Sequence, residues 1–392
     1  MPRCDNLIAN LQHKPIICSN LGFGEQGAVL AQIKKAIYIV PDNEKAVQMQ
    51  QQLFALNKAC VLVDEFDKPY TLARFQSKQN KFDMLKTIKS LLTDDAIIIS
   101  TPQFLLTYCN NLEDFNTKLI KIEKGKDYSI SALEKQLVTI GYKKVDVITN
   151  KGEFCVRGDI VDIFNVTDDN PTRLDFFDTA LENLNTFDYL NFQKITDVQS
   201  LTIYPNKLLF LTDKQKEQVS KHFNNFKLEN DLFFELLSLL EQNEDVPLEF
   251  VAPFVKNLNL FADLNLPIII SNELKVETIF NAYVKNLKEK IKLVFKNKDI
   301  IYEYQNAIKY AKIDEIYAKN IKNMVFFDNF DLKTSNLYQT LKGEILDIDF
   351  KTQNFPTFLY NLNAIKNELA PFMDKQIFLC LGEDSTLKSV KK

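Results

Sequence analysis

Gly152-Glu153-Phe154-Cys155-Val156-Arg157-Gly158-Asp159-Ile160-Val161-Asp162-Ile163-Phe164, followed by Pro171-Thr172-Arg173-Leu174-Asp175-Phe176-Phe177-Asp178, reads as successive short strands. Residues two apart on a strand share a face. Arg173, Asp175 and Phe177 therefore point one way, and Leu174 and Phe176 point the other, where they can fill a core. Arg157 shares its face with Cys155 and Glu153, opposite Phe154 and Val156. Further strand-length runs lie on both sides, at 144–148 and 184–187, separated by the turn signals Asn150-Lys151-Gly152 and Asp168-Asp169-Asn170-Pro171. Upstream, a strand over 118–123 leads to a helix. The spacing Ser131-x-x-Glu134 predicts its capping box, and Leu133, Leu137 and Ile140 form its apolar face. Together these segments predict a compact antiparallel α+β module.

Outside the module the texture changes. Apolar runs at 15–18, 36–40, 60–63 and 96–99 alternate with helical stretches at 44–56 and 82–92, the pattern of a parallel sheet with helices on its faces. After the module come a helical stretch over 230–242, a buried strand over 266–271 and a long amphipathic helix with Ile279, Tyr283, Leu287 and Ile291 on one side. A strand follows over 323–327, then a helix over 363–372, a strand over 376–381 and the start of a helix at 385–392. The expected class is α/β: one parallel-sheet domain built from two flanking segments, with an α+β module inserted. The predicted division is 1–113 and 199–345 for the two parts of the sheet domain, 114–198 for the module, and 346–392 for a linker and the start of a small, truncated domain. A helix breaking off at Val390-Lys391-Lys392 suggests a fragment of a longer protein.

The chain has four arginines against forty-four lysines, and Arg157 and Arg173 both fall in the opening segment. A surviving arginine in so lysine-rich a chain points to a need for the planar guanidinium fork. With Phe177 they are the residue types most enriched in binding hot spots. The alternative is internal pairing with Glu153, Asp159 or Asp175, and the sequence leaves the two open.

Gly22-Phe23-Gly24-Glu25-Gln26-Gly27-Ala28-Val29 has the G-x-x-x-x-G spacing of a phosphate loop. Such a loop needs Lys and then Ser or Thr after its second glycine. Ala28 and Val29 stand there, so Gly22, Gly27, Ala28 and Val29 are expected to form an inactive remnant or an ordinary turn, without nucleotide hydrolysis. Asp64-Glu65 mimics the acidic pair of a working site but lacks its partners. Lys285, Lys288, Lys290, Lys292, Lys296 and Lys298 form a basic face, read first as solvated and second as a phosphate-contacting surface. The net charge of −4 argues against a generally cationic nucleic-acid-binding body. Six scattered cysteines without a C-x-x-C pair, and only His13 and His222, give no metal site. No apolar run has the length of a membrane span, and a cytoplasmic protein without a catalytic residue, metal or cofactor is expected.

The run Gly-Glu-Phe-x-Val-Arg-Gly-x-Ile-Val-Asp-Ile-Phe, then Pro-x-Arg-x-Asp-Phe-Phe-Asp and Thr186-Phe187-Asp188, resembles the module shared by UvrB and the bacterial transcription-repair coupling factors (Mfd). Lys124-Gly125 and Leu133-x-x-x-Leu137-x-x-x-Gly141-Tyr142 fit as well. UvrB proteins carry an intact phosphate loop, whereas Ala28-Val29 resembles the decayed loop of the coupling factors. The resemblance implies a degenerate RecA/helicase-like fold and a part in transcription-coupled excision repair. It also implies that Arg157, Arg173 and Phe177 contact the UvrA damage sensor. RNA polymerase and DNA would be engaged through an ATP-driven translocase C-terminal to this chain. Two alternatives remain: a UvrB-like ATP-binding protein, and a nucleic-acid-binding module built on the lysine face.

Overall fold

The computed structural model describes residues 2–63, 78–107, 109–225, 238–239, 259–261, 264–294, 312–328, 345–351, 366–367 and 369–372. Asp64-Glu65, the strand expected over 376–381 and the helix expected over 385–392 lie outside them, as do most of the helix expected over 230–242 and part of that expected over 363–372.

Short apolar runs make the main sheet. Its strands are β1 (Ile16–Ser19), β2 (Ala36–Ile39), β3 (Cys60–Leu62), β4 (Ile97–Ser100), β13 (Ile268–Ser271), β14 (Met324–Asp328) and β15 (Leu346–Asp349), in the order β15-β1-β14-β13-β2-β4-β3. Every neighbouring pair is parallel. A parallel sheet buries both faces, which is why these strands are nearly all apolar rather than alternating. One face packs Ile16, Cys18, Tyr38, Ile99, Ile269 and Phe327 against helices α1 (Pro2–Asn10), α2 (Phe23–Leu30) and α3 (Asn43–Ala55). The other packs Ile37, Ile98, Ile270 and Phe326 with α4 (Lys78–Thr93), α8 (Glu273–Val294) and α9 (Ile313–Asn320). This is the helicase-like α/β arrangement expected from the sequence. Among the described residues no helix is long and apolar enough to cross a membrane.

The long helix α8 buries a slightly different stripe from the expected one. Val276, Phe280 and Leu287 are fully buried, while Ile279 and Tyr283 lie at the stripe's edge. Ile291 falls where side chains are not described.

Between β4 and β13 the chain builds a second sheet. Helix α5 (Leu112–Thr117), capped by Asn111, leads to β5 (Ile120–Glu123), then to α6 (Ile130–Thr139). The cap of α6 is Ser129, whose hydroxyl accepts from Ala132 N, and not the Ser131 of the expected capping box. Leu133, Leu137 and Ile140 are buried as its pattern requires. Strands β6 (Lys143–Lys144), β7 (Glu153–Arg157), β8 (Ile160–Ile163), β9 (Thr172–Phe177), β10 (Ala180–Phe187) and β11 (Lys194–Asp197) follow in spatial order. All their pairings are antiparallel except β6 with β7. Strand β12 (Ser200–Ile203) returns to pair with β5 and leads to helix α7 (Asp213–Asn225). The inner face of the six-stranded sheet (Phe154, Val161, Leu174, Phe176, Leu184) packs on α6 and is continuous with the core of the main sheet.

Candidate functional site

The outer face of the six-stranded sheet carries the arginines. Register places Cys155 opposite Asp162 and Asp162 opposite Arg173, and continues to Asn185 and Asp197 on β10 and β11. The next row is Arg157, Ile160 and Asp175. Two tight turns frame it. Gly158, with φ +60, closes β7 onto β8, a left-handed conformation that suits glycine. Asp178, with φ +57, closes β9 onto β10 and leaves Phe177 at the hairpin's end.

Both guanidinium groups converge on one carboxylate. Arg173 forks onto Asp162, with Nε 2.7 Å from Oδ1 and a terminal nitrogen 2.8 Å from Oδ2. Arg157 places a terminal nitrogen 2.6 Å from the same Oδ2. Asp162 is completely buried, whereas the side chains of Arg157 and Arg173 remain 48% and 24% exposed. The hydrogen bond from Arg173 to Asp162 raises its pKa further above its ordinary value, so its charge is permanent. Burial pushes the Cys155 thiol up, with Asp162 adding to the effect. The guanidinium of Arg173 also lies 4.7 Å from the ring centroid of Phe187, a cation–π contact. Phe177 is 73% exposed. Asp175 Oδ1, on the same face, is buried without a hydrogen-bond partner among the described residues.

The geometry thus joins the two alternatives left open by the sequence. Arg157 and Arg173 do pair internally, but with Asp162 rather than with Glu153, Asp159 or Asp175. Only the register of β8 shows that Asp162 lies between the two arginines. The signal was a charged residue inside the apolar run Ile160-Val161-Asp162-Ile163. What results is a preset face with two held cations and a bare benzyl ring.

The glycine-rich segment has a different geometry from a phosphate loop. Gly22 is the N-cap of α2, and the helix begins at Phe23, so Gly24 and Gly27 are helical. Gly27 packs against α3, where an added Cβ would stand 2.5 Å from Gln52 Oε1. Ala28 is half-buried, and Val29 sits in the core beneath the sheet. At the carboxyl ends of the central strands, Gln26 is buried. Its Oε1 accepts from the hydroxyls of Tyr38 (2.5 Å) and Ser271 (3.0 Å). Of the basic face on α8, Lys285 and Lys288 are exposed, and the later side chains lie outside the described residues.

A family described as the UvrB interaction domain matches residues 120–209, the span from β5 past β12. Over these residues the chain resembles a UvrB interaction domain. Among curated relatives, a UvrABC system protein B of Fervidobacterium nodosum is 33% identical over 137 residues, covering 35% of this chain and 21% of that protein. The transcription-repair-coupling factor of Bacillus subtilis is 27% identical over 150 residues, 38% of this chain and 13% of that protein. A UvrABC system protein B of Chlorobium chlorochromatii is 25% identical over 236 residues, 56% of this chain and 34% of that protein. The chain therefore spans about a fifth or less of the first two relatives' length. The arginine face lies wholly within the residues that match this family.

Proposed function

We propose that this chain is the N-terminal region of a transcription-repair coupling factor, and that its UvrB interaction domain recruits the UvrA damage sensor in excision repair. The observation that carries the proposal is the outer face: two guanidinium groups fixed by one buried carboxylate, beside an exposed phenylalanine. The chemistry suits a partner presenting carboxylates around an apolar pocket. This region would act without cofactor or nucleotide hydrolysis. In support, the first turn of α2 occupies the stretch where a phosphate loop would lie, and no lysine follows Gly27. RNA polymerase and DNA would be engaged by other parts of a longer protein.

Titration of the purified chain into UvrA tests this. Truncating a hot-spot residue costs about 2 kcal/mol or more, so Phe177→Ala and Arg157→Ala should each weaken binding by well over tenfold. Unchanged affinity for both variants would reject the assignment. Arg173→Ala is less clean, because it also strips two hydrogen bonds from Asp162.

A second reading, a UvrB-like ATP-binding protein, draws support from the UvrABC system protein B relatives. Calorimetric ATP titration separates the two: micromolar binding abolished by a change at Gly27 would favour it.

A further inference from the structure

The arginine face does not end at Arg173. Beyond it, the ring of Phe187, buried with Ile148, Cys155 and Phe164, meets the Arg173 guanidinium and also the ring of Phe192, which stacks on it at 6.1 Å and an interplanar angle of 21°. Phe192 is exposed and lies in the turn joining β10 to β11. Its φ is +59, a left-handed conformation uncommon for any residue but glycine and unfavourable for a bulky one.

The turn is built to hold that conformation. Asp188 accepts from Leu190 N with its carboxylate (2.8 Å) and from Phe192 N with its carbonyl (2.7 Å), while Asp188 N donates to Gln193 O (2.9 Å). Asn191 accepts from Gln193 N. The result presents Leu190, 77% exposed, beside Phe192. Ile195, the extra residue of the bulge between the Thr186–Thr196 and Phe187–Lys194 pairs, follows on the same connection and is exposed too. Phe192 covers the ring of Phe187 with one part of its surface and leaves 43% of itself exposed, beside the largely bare Leu190.

We propose that Leu190, Phe192 and Ile195 form a second apolar anchor for the partner that docks on Arg157, Arg173 and Phe177. This rests on the reading of that face as a UvrA-binding surface. The argument is continuity: Phe192, Phe187, Arg173, Asp162 and Arg157 form one chain of direct contacts across a single sheet face. Phe187 N bonds to Pro171 O, six residues before Phe177 on the neighbouring strand. Phe187, on which Phe192 stacks, thus stands roughly 20 Å from Phe177 at strand rise, a separation that fits within a patch of about 800 Å² on one partner. The matching surface has two apolar pockets bracketing a strip of carboxylates, with a donor between them for Asp175.

The test compares four forms of the full chain in UvrA titrations: wild type, Phe177→Ala, the double variant Leu190→Ser/Phe192→Gly, and Ile195→Thr. Glycine at 192 relieves the strained φ, so the double variant should keep the fold, as checked by its thermal melt. Expected is at least a tenfold loss of affinity for the double variant and a smaller loss for Ile195→Thr. Wild-type affinity in the folded double variant, alongside weakened binding by Phe177→Ala, would overturn the second anchor and leave the first. No UvrA binding by the wild type would instead sink the underlying reading. Should wild type self-associate in sedimentation, and the double variant be monomeric with UvrA affinity intact, the patch serves a second copy and the proposal fails.

Discussion

Asp162 is the residue on which the candidate site turns. A buried carboxylate is tolerated only when paired and hydrogen-bonded, and its two cationic partners, the half-exposed Arg157 and the more covered Arg173, both reach the outer face, with the Cys155 thiol as a weaker third partner. Removing Arg173 takes away two of the three hydrogen bonds that it receives from arginine. Breaking a buried pair from one side costs about 3 to 5 kcal/mol. Because Arg157 stays in place, Arg173→Ala should cost about 2 to 3 kcal/mol in denaturant unfolding. The double variant Arg173→Ala/Asp162→Ala should be less destabilised than Arg173→Ala alone, since no charge is then left stranded. A loss below about 1 kcal/mol for Arg173→Ala would mean that solvent already screens the pair. The sequence made the two arginines and Phe177 legible, because alternation assigns faces without knowledge of neighbours. It could not reveal Asp162 as their common partner, because that depends on the register between β7, β8 and β9.

At the scale of elements, hydrophobic pattern governed what could be read. The buried strands β1, β2, β4, β13 and β14 announce themselves as apolar runs. Strand β11 does not: all four residues of Lys194–Asp197 are exposed, and only pairing to β10 makes them a strand. The short strands β12 and β15 carry only two apolar residues each, interleaved with polar ones, and so lack that signature. Helix α2 is the sharpest case. Its glycine spacing suggests a loop, yet Val29 and Leu30 belong to the core under the sheet, and burying them carries the helix back through Gly24 and Gly27. Restoring the missing side chains should therefore fail to restore a site. Ala28→Lys combined with Val29→Thr should show no heat of ATP binding by calorimetry. Val29→Thr alone should cost about 1 to 2 kcal/mol, for placing a hydroxyl among apolar neighbours. ATP binding by the double variant would show that α2 can unwind into a loop.

At the scale of the molecule, the small sheet is fastened to the helicase-like sheet by a shared core and, at the rim, by ion pairs. Lys89 reaches Asp168 at 3.1 Å, and Asp169 receives both Lys151 (3.1 Å) and Lys86 (3.3 Å). Lys86 and Lys89 lie on α4, whereas the aspartates lie in the turn before β9, so the pairs bridge the two sheets' supporting elements. The Asp169 carboxyl is held below its ordinary pKa, mainly by Lys151 and then by Lys86. A depressed carboxylate pKa stabilises the folded state above the unfolded value, and that contribution is lost as pH falls through the folded one. The Asp169 carboxylate itself is largely exposed, so the effect is at most about 1 kcal/mol. Comparing thermal melts of wild type and Asp169→Asn should give a difference that is constant above about pH 5 and shrinks below about pH 4. High salt should shrink it at neutral pH as well. A difference indifferent to both pH and salt would show that the turn is fixed by its backbone, and that the shared core alone sets how the arginine face is carried.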